Sequence, residues 1–99
     1  MTNSEGELSM QVIFRKDKKT KEIVAFLPEI PVSRYMIMSY MHIGQHSEAS
    51  LDYYFLSTEK ASEEEYCNLY EELCNVYYDE KIVIRRRLNK DLLVKSWMA

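Results

Sequence analysis

The 99-residue sequence has few of the residues that interrupt regular secondary structure, with only two glycines and two prolines. Most of the chain is therefore predicted to lie in helices and strands joined by short connections. It also has no apolar run near the ~18 residues that a membrane-spanning helix needs, and residues 1–9 are polar and acidic. We therefore expect one domain of ordinary size with no export signal and no membrane contact.

Cysteine is also scarce, with only Cys67 and Cys74 in the chain. If this segment is helical, their Cα atoms lie about 10 Å apart, which is beyond disulfide reach. Free thiols without an export signal predict a cytoplasmic protein. The sequence has no Cys-x-x-Cys pair, no glycine-rich phosphate loop and no G-x-S-x-G turn, so no catalytic residue and no cofactor is predicted.

Charge is distributed unevenly along the chain, whose net charge is -3. Acidic residues dominate residues 59–80, whereas lysine and arginine concentrate in residues 15–21 and 81–87. An overall acidic chain is not typical of a general nucleic-acid-coating protein, because phosphate binding depends on clustered basic side chains.

Residues 1–9 are predicted to form a disordered tail and residues 10–99 a single α+β domain. Residues 11–16 and 22–27 are β-prone and flank a short polar loop, as in a hairpin, and Pro28 then stops the second strand. Residues 35–43 are apolar on both alternating faces, which predicts a central strand covered on two sides. We expect residues 45–50 to form a turn and residues 51–56 a short fourth strand.

The strongest local signal is an amphipathic helix that begins after Ser62. Ser62 and Glu65 have the spacing of a capping box. An apolar stripe follows at helical spacing and should face the sheet; it comprises Tyr66, Leu69, Tyr70, Leu73, Cys74 and Tyr77. Residues 81–88 are predicted to be a further strand. The predicted fold is thus an antiparallel sheet of four to five strands with one packed helix, in the order β-β-β-(β)-α-β.

Residues 89–99 contain Trp97 and several aliphatic side chains, which is too much apolar surface to leave in water. We expect this segment to dock on the second face of the central strand, either within one chain or across a homodimer.

The candidate binding site is the polar segment that follows the central strand, a common location for functional residues. Its members carry imidazole, amide, hydroxyl and carboxylate groups around a glycine; they are His42, Gly44, Gln45, His46, Ser47, Glu48 and Asp52. One interpretation is a purely structural, hydrogen-bonded turn. Another is a non-enzymatic protein that binds an unidentified protein partner through this segment, through the acidic helix face, or through both.

Two further functions remain open at this point. A metal-dependent enzyme would use His42 and His46 with a carboxylate, since imidazole and carboxylate groups suit zinc or iron. Nucleic-acid binding, which the net charge disfavours, would use the basic residues Lys18, Lys19, Lys21, Arg85 and Arg87.

The same segment carries a resemblance. Residues 26–28 read F-L-P, the segment from Tyr40 to Ser47 reads Y-M-H-I-G-Q-H-S, and Glu65 and Tyr66 lead the helix. This combination resembles small uncharacterised proteins of bacteriophages and bacterial mobile elements over about residues 22–88. The resemblance implies a cytoplasmic accessory role in a bacterial or phage setting and assigns no catalytic residue.

Overall fold

The computed structural model of the chain describes residues 8–41 and 45–98. It confirms the α+β class, with six strands, two α-helices and one π-helical turn among these residues. In chain order the elements are β1 (Leu8–Asp17), β2 (Ile23–Leu27), β3 (Met36–Met41), β4 (Gln45–Ser50), the π-helical turn (Tyr53–Ser57), β5 (Thr58–Lys60), α1 (Glu63–Val76), β6 (Glu80–Ile84) and α2 (Lys90–Met98).

The sheet has the order β4-β3-β2-β1-β5, and β6 also pairs with β1. The predicted hairpin of β1 and β2 is confirmed, and Asp17 stabilises its loop by accepting hydrogen bonds from the N–H groups of Lys19 and Thr20. All pairings are antiparallel except β1 with β6, which is parallel. β5 pairs with the carboxyl-terminal part of β1 and β6 with its amino-terminal part, so two short strands share one edge of a long one.

Both faces of the sheet are covered, as the apolar alternation in residues 35–43 predicted. On one face, Val12, Leu27 and Tyr40 are among the sheet residues that pack with Leu69 and Leu73 of α1. On the other face, the sheet packs against the π-helical turn and α2 through a second cluster; its buried members are Ile13, Val24, Phe26, Ile37, Tyr54 and Leu93. The domain therefore has three layers.

The predicted start of α1 is confirmed. Ser62 accepts a hydrogen bond from the N–H of Glu65, and the Glu65 side chain accepts one from the N–H of Ser62, which completes a capping box. The predicted stripe faces the sheet, since Leu69 and Leu73 are buried and the tyrosines of the stripe pack around them.

The carboxyl-terminal segment docks on the second face of the sheet of its own chain, which is one of the two arrangements expected from the sequence. It does so as helix α2, with Leu93 buried and Trp97 packed against the same cluster. The indole Nε1–H of Trp97 donates a 2.7 Å hydrogen bond to the carbonyl of Met36. β2 ends before Pro28, so no residue of β2 lies opposite the Met36 carbonyl. The indole therefore takes the place of the missing main-chain donor.

Three local predictions were wrong. Residues 45–50 are strand β4 rather than a turn, because they pair with β3 from Met41 opposite Gln45 to Met36 opposite Ser50. Residues 51–56 are helical rather than a fourth strand, because Tyr53 and Tyr54 pack their rings against Phe26 from a helical turn. The last strand ends at Ile84, before the arginine run, rather than at residue 88. Beyond it, the N–H of Arg85 still donates a hydrogen bond to the carbonyl of Val12.

Of the predicted tail, Leu8 and Ser9 belong to strand β1 instead, and residues 1–7 lie outside the described residues. Within the part of the chain that the structure describes, no helix is long and apolar enough to cross a membrane.

Candidate functional site

The predicted site residues divide between the two faces of β4. Because directly opposed residues of an antiparallel pair share a face, His46 and Glu48 lie on the α1 face, opposite Tyr40 and Met38. Gln45 and Ser47 lie on the α2 face. His42 and Gly44 lie outside the described residues, and Asp52 follows β4, exposed and without a side-chain hydrogen bond to cap the turn.

His46 is held by aromatic residues from two other elements. Its Nε2 forms a 2.7 Å hydrogen bond with the hydroxyl of Tyr77, just beyond the end of α1. Its ring lies edge-on to Tyr40, with 4.7 Å between ring centroids, and contacts Tyr77 in the same manner. Burial, and then the charge of Glu80, raise the pKa of the Tyr77 hydroxyl, so it stays protonated and available for this bond. His46 therefore joins the outer strand to α1.

A second contact between the sheet and α1 lies beside the first. The hydroxyl of Tyr40, whose side chain is buried, donates a hydrogen bond to the carboxylate of Glu72. Tyr40, His46, Glu72 and Tyr77 thus form one polar and aromatic group, which we call the His46 cluster. The stripe in the sequence predicted that Tyr77 faces the sheet, but no signal linked it to His46, which is 31 residues away. Nothing in the sequence singled out Glu72.

The neighbouring side chains of β4 make contacts that hold the strand in place. The buried hydroxyl of Ser39 donates to the carbonyl of Ser47 at 2.8 Å. The Glu48 carboxylate accepts a hydrogen bond of 3.2 Å from the N–H of Ser33, in the segment that leads into β3. The described residues thus include structural partners for His46, Ser47 and Glu48, as the interpretation of a hydrogen-bonded segment predicts.

The main chain of β4 offers a different kind of site. The N–H of Leu51 donates to the carbonyl of Tyr35, so the odd-numbered residues of β4 bond to β3. By alternation, the N–H and C=O groups of His46 and Glu48 and the N–H of Ser50 point away from the sheet, whereas the C=O of Ser50 begins the helical segment that starts at Leu51. β4 is the terminal strand in the sheet order, and five of its six residues are exposed. Within residues 8–41 and 45–98, no strand lies beside this edge, and it presents the main-chain donors of His46, Glu48 and Ser50 and the acceptors of His46 and Glu48.

The two sheet edges differ in how they are protected. The β5 and β6 edge consists of strands of three and five residues and carries Lys60 and Lys81. Short strands and lysines are the usual features that prevent a sheet edge from pairing with another chain. β4 has six residues and contains no lysine, arginine or proline, and its one acidic side chain is engaged with Ser33. The β4 edge therefore lacks the protection that the other edge has.

The remaining candidate residues do not assemble into one site. No group of three or more potential metal ligands occurs among residues 8–41 and 45–98. The side chain of Lys18, just after the end of β1, donates a hydrogen bond to the carbonyl of Leu56. The N–H of Arg85 donates to the carbonyl of Val12, which lies in β1 six residues before Lys18. At the rise of a β-strand this places the two parts of the predicted nucleic-acid surface roughly 20 Å apart.

The acidic face of α1 is only partly engaged. Glu65 forms a 2.5 Å ion pair with Lys16, and this bond, followed by the N–H of Ser62, lowers the pKa of Glu65 to about 2. Glu63, Glu64 and Glu71 remain exposed. Cys67 and Cys74 are free, as their spacing predicted.

The fold defines a small α+β domain with helices on both faces of a mixed sheet. No protein-family model matches the chain, and no curated protein or solved structure is significantly similar to it. The geometry of the domain itself is therefore the basis for a functional proposal.

Proposed function

We propose that this protein is a non-enzymatic interaction protein that binds an extended segment of a protein partner along β4. The observation that carries the proposal is the open, unprotected edge at which His46, Glu48 and Ser50 direct main-chain groups outward. A partner strand would satisfy these groups and add a seventh strand to the sheet, a common mode of peptide recognition.

Side chains on either face of β4 would supply the selectivity. On the α1 face a bound strand would run beside His46 and Glu48, on the side of the sheet where Tyr40 holds the carboxylate of Glu72. This acidic border favours a partner segment with lysine or arginine at alternate positions. On the other face Gln45 and Ser47 offer hydrogen-bonding groups. The cytoplasmic setting, bacterial or phage, belongs to the same proposal and is supported by the two free thiols and by the resemblance in residues 40–47.

The test uses peptides of about ten residues selected from a random library displayed on phage, with hydrogen exchange as the readout. We expect a bound peptide to slow the exchange of the amides of His46, Glu48 and Ser50. Those of Ser47 and Ala49, already bonded to β3, should change little. A bound peptide that leaves the three outward amides unprotected contradicts the proposal, as does a library that yields no binder.

A pair of variants separates main-chain pairing from side-chain recognition. Glu48→Pro removes one outward N–H and leaves the ladder to β3 intact, because an edge strand tolerates proline where its N–H faces solvent. Glu48→Ala removes the same carboxylate and keeps the N–H. We expect peptide binding to be lost in the first variant and retained in the second; equal losses in both would argue against strand addition.

A further inference from the structure

A cavity of about 400 Å³ lies on the edge of the sheet opposite β4. β6 pairs with β1 up to Val12, and β5 pairs with it from Arg15 onward, so Phe14 lies between the two strands. The residues that connect β5 to α1, together with those that follow β6, surround the gap. The cavity is thus a consequence of two short strands sharing one edge.

One wall of this cavity is apolar and aromatic. The rings of Phe14 and Tyr66 are stacked, with 4.5 Å between centroids and 9° between planes. Ala61 and Ile84 continue this wall, and Ile84 keeps 37% of its surface exposed although it is a large aliphatic residue. The wall provides a surface against which a planar or apolar group can lie.

The charged residues around the cavity are mostly basic, in a chain whose net charge is negative. Arg15, Lys60, Arg85 and Arg86 line it, and Glu63 is the one acidic residue among them. The neighbouring cavity, between β2 and α1, shows the reverse pattern. Three carboxylates and no basic residue line it. The two cavities that border α1 therefore differ in the sign of their charge.

Two further carboxylates near the cavity, those of Glu59 and Glu65, are engaged with Lys16, at 4.0 and 2.5 Å. Within the described residues, no ion pair links Lys60, Arg85 or Arg86 to a carboxylate. Three of the cations that line the cavity thus have no ion-pair partner in the part of the chain that the structure describes.

Arg15 borders the cavity, but its side chain is engaged on the other face of the sheet. Its Nε–H and Nη2–H groups donate to the hydroxyl and the carbonyl of Thr58, at 2.8 and 2.7 Å. Its guanidinium lies over the ring of Tyr54, 4.7 Å from the centroid. These contacts hold the guanidinium on the face of the sheet that carries Tyr54, whereas Phe14 and Tyr66 belong to the α1 face, so the Arg15 side chain points away from the aromatic wall of the cavity.

We propose that this cavity binds a small phosphate monoester, with its phosphoryl group at Arg85 and Arg86 and its apolar part against Tyr66 and Ile84. Arginine recognises phosphate through paired hydrogen bonds, and several cations around one cavity suit a dianion. The volume is in the range of pockets that hold small ligands. The start of α1 adds nothing to this inference, because the capping box already occupies the Ser62 hydroxyl. The site is independent of the proposed function at β4.

The test titrates the purified protein with phenyl phosphate, observed by amide chemical shifts at constant ionic strength. We expect saturable shifts in the residues that line the cavity, and tighter binding than for inorganic phosphate, which lacks the apolar part. The absence of saturable shifts at this cavity would overturn the proposal. So would inorganic phosphate binding as tightly as phenyl phosphate, which would mean that the apolar wall has no role.

The arginine run offers a matched set of variants. Arg85, Arg86 and Arg87 are all exposed, so their substitution should leave the fold intact, but only the first two line the cavity. Arg86→Gln and Arg85→Gln should each raise the Kd for phenyl phosphate by about tenfold or more, the usual effect of losing a charge-assisted hydrogen bond. Arg87→Gln removes the same charge and should change the Kd less than about twofold.

Equal effects of the three substitutions would show a general charge attraction and would refute the site. A single-stranded oligonucleotide that binds with the same dependence on Arg85 and Arg86, while phenyl phosphate does not bind, would also refute it. That outcome would assign the cavity to a nucleic-acid surface instead.

Discussion

Leu93→Ala tests whether α2 is a structural layer of this domain. The Leu93 side chain is 3% exposed and packs among buried residues of the second sheet face. The substitution removes three carbons, worth about 2.4 kcal/mol of transfer free energy at ~0.8 kcal/mol each. The cavity left behind adds to this, so we expect the free energy of unfolding to fall by roughly 2–5 kcal/mol.

Val94→Ala is the matched control, because Val94 is the next residue in α2 and is 43% exposed. We expect its free energy of unfolding to change by no more than about 0.5 kcal/mol, the usual range for surface substitutions. Urea unfolding would be followed both by far-ultraviolet circular dichroism and by the fluorescence of Trp97, the one tryptophan of the chain. Trp97 lies in the same helix and bonds to Met36, so its fluorescence reports the docking of α2.

A loss below about 1 kcal/mol in Leu93→Ala, comparable to that in Val94→Ala, would refute the packing of α2 on the sheet. A loss in the expected range with coincident transitions for the two probes would show that α2 unfolds together with the rest of the domain.

Two further predictions concern local hydrogen bonds. Ser62→Ala removes the hydroxyl that accepts from the N–H of Glu65, and should lower the free energy of unfolding by about 1 kcal/mol in urea titrations; an unchanged midpoint would contradict the cap. The pKa of Asp17 is lowered from 3.8 to about 2, chiefly by the N–H of Thr20 and then by the hydroxyl of Tyr53. Because the folded-state pKa is the lower one, this stabilisation is present above pH 3.8 and is lost as the pH falls towards 2. Asp17→Asn should therefore weaken the dependence of stability on pH in urea titrations between pH 2 and 5, and an unaltered dependence would count against the prediction.

Predictions from sequence succeeded where one local pattern specifies one structure. The capping box at Ser62 and the apolar stripe after it depend on residues three and four positions apart, and both are found in α1. The hairpin of β1 and β2 follows from two β-prone runs and a short polar loop. The two-sided coverage of β3 was predicted from apolar residues on both of its alternating faces.

The errors occurred where pairing or packing overrides composition. β4 is polar and exposed, so nothing in its hydrophobicity indicates a strand, and its ladder with β3 alone makes it one. The aromatic run that suggested a fourth strand is helical because Tyr53 and Tyr54 contact Phe26 there. The candidate site changed accordingly, from a loop of converging side chains to the edge of a strand whose residues face both ways.

The sequence by itself determined the class of the fold, the start of its first helix and the apolar faces that had to be buried. These properties depend on capping, periodicity and burial, which act between residues close in the chain. Only the tertiary structure decided that β5 and β6 share an edge of β1, that Arg85 and Arg86 line a cavity beside Phe14, and that His46 bonds to Tyr77. Each of these contacts joins residues far apart in sequence, and their positions depend on how the whole sheet pairs and packs.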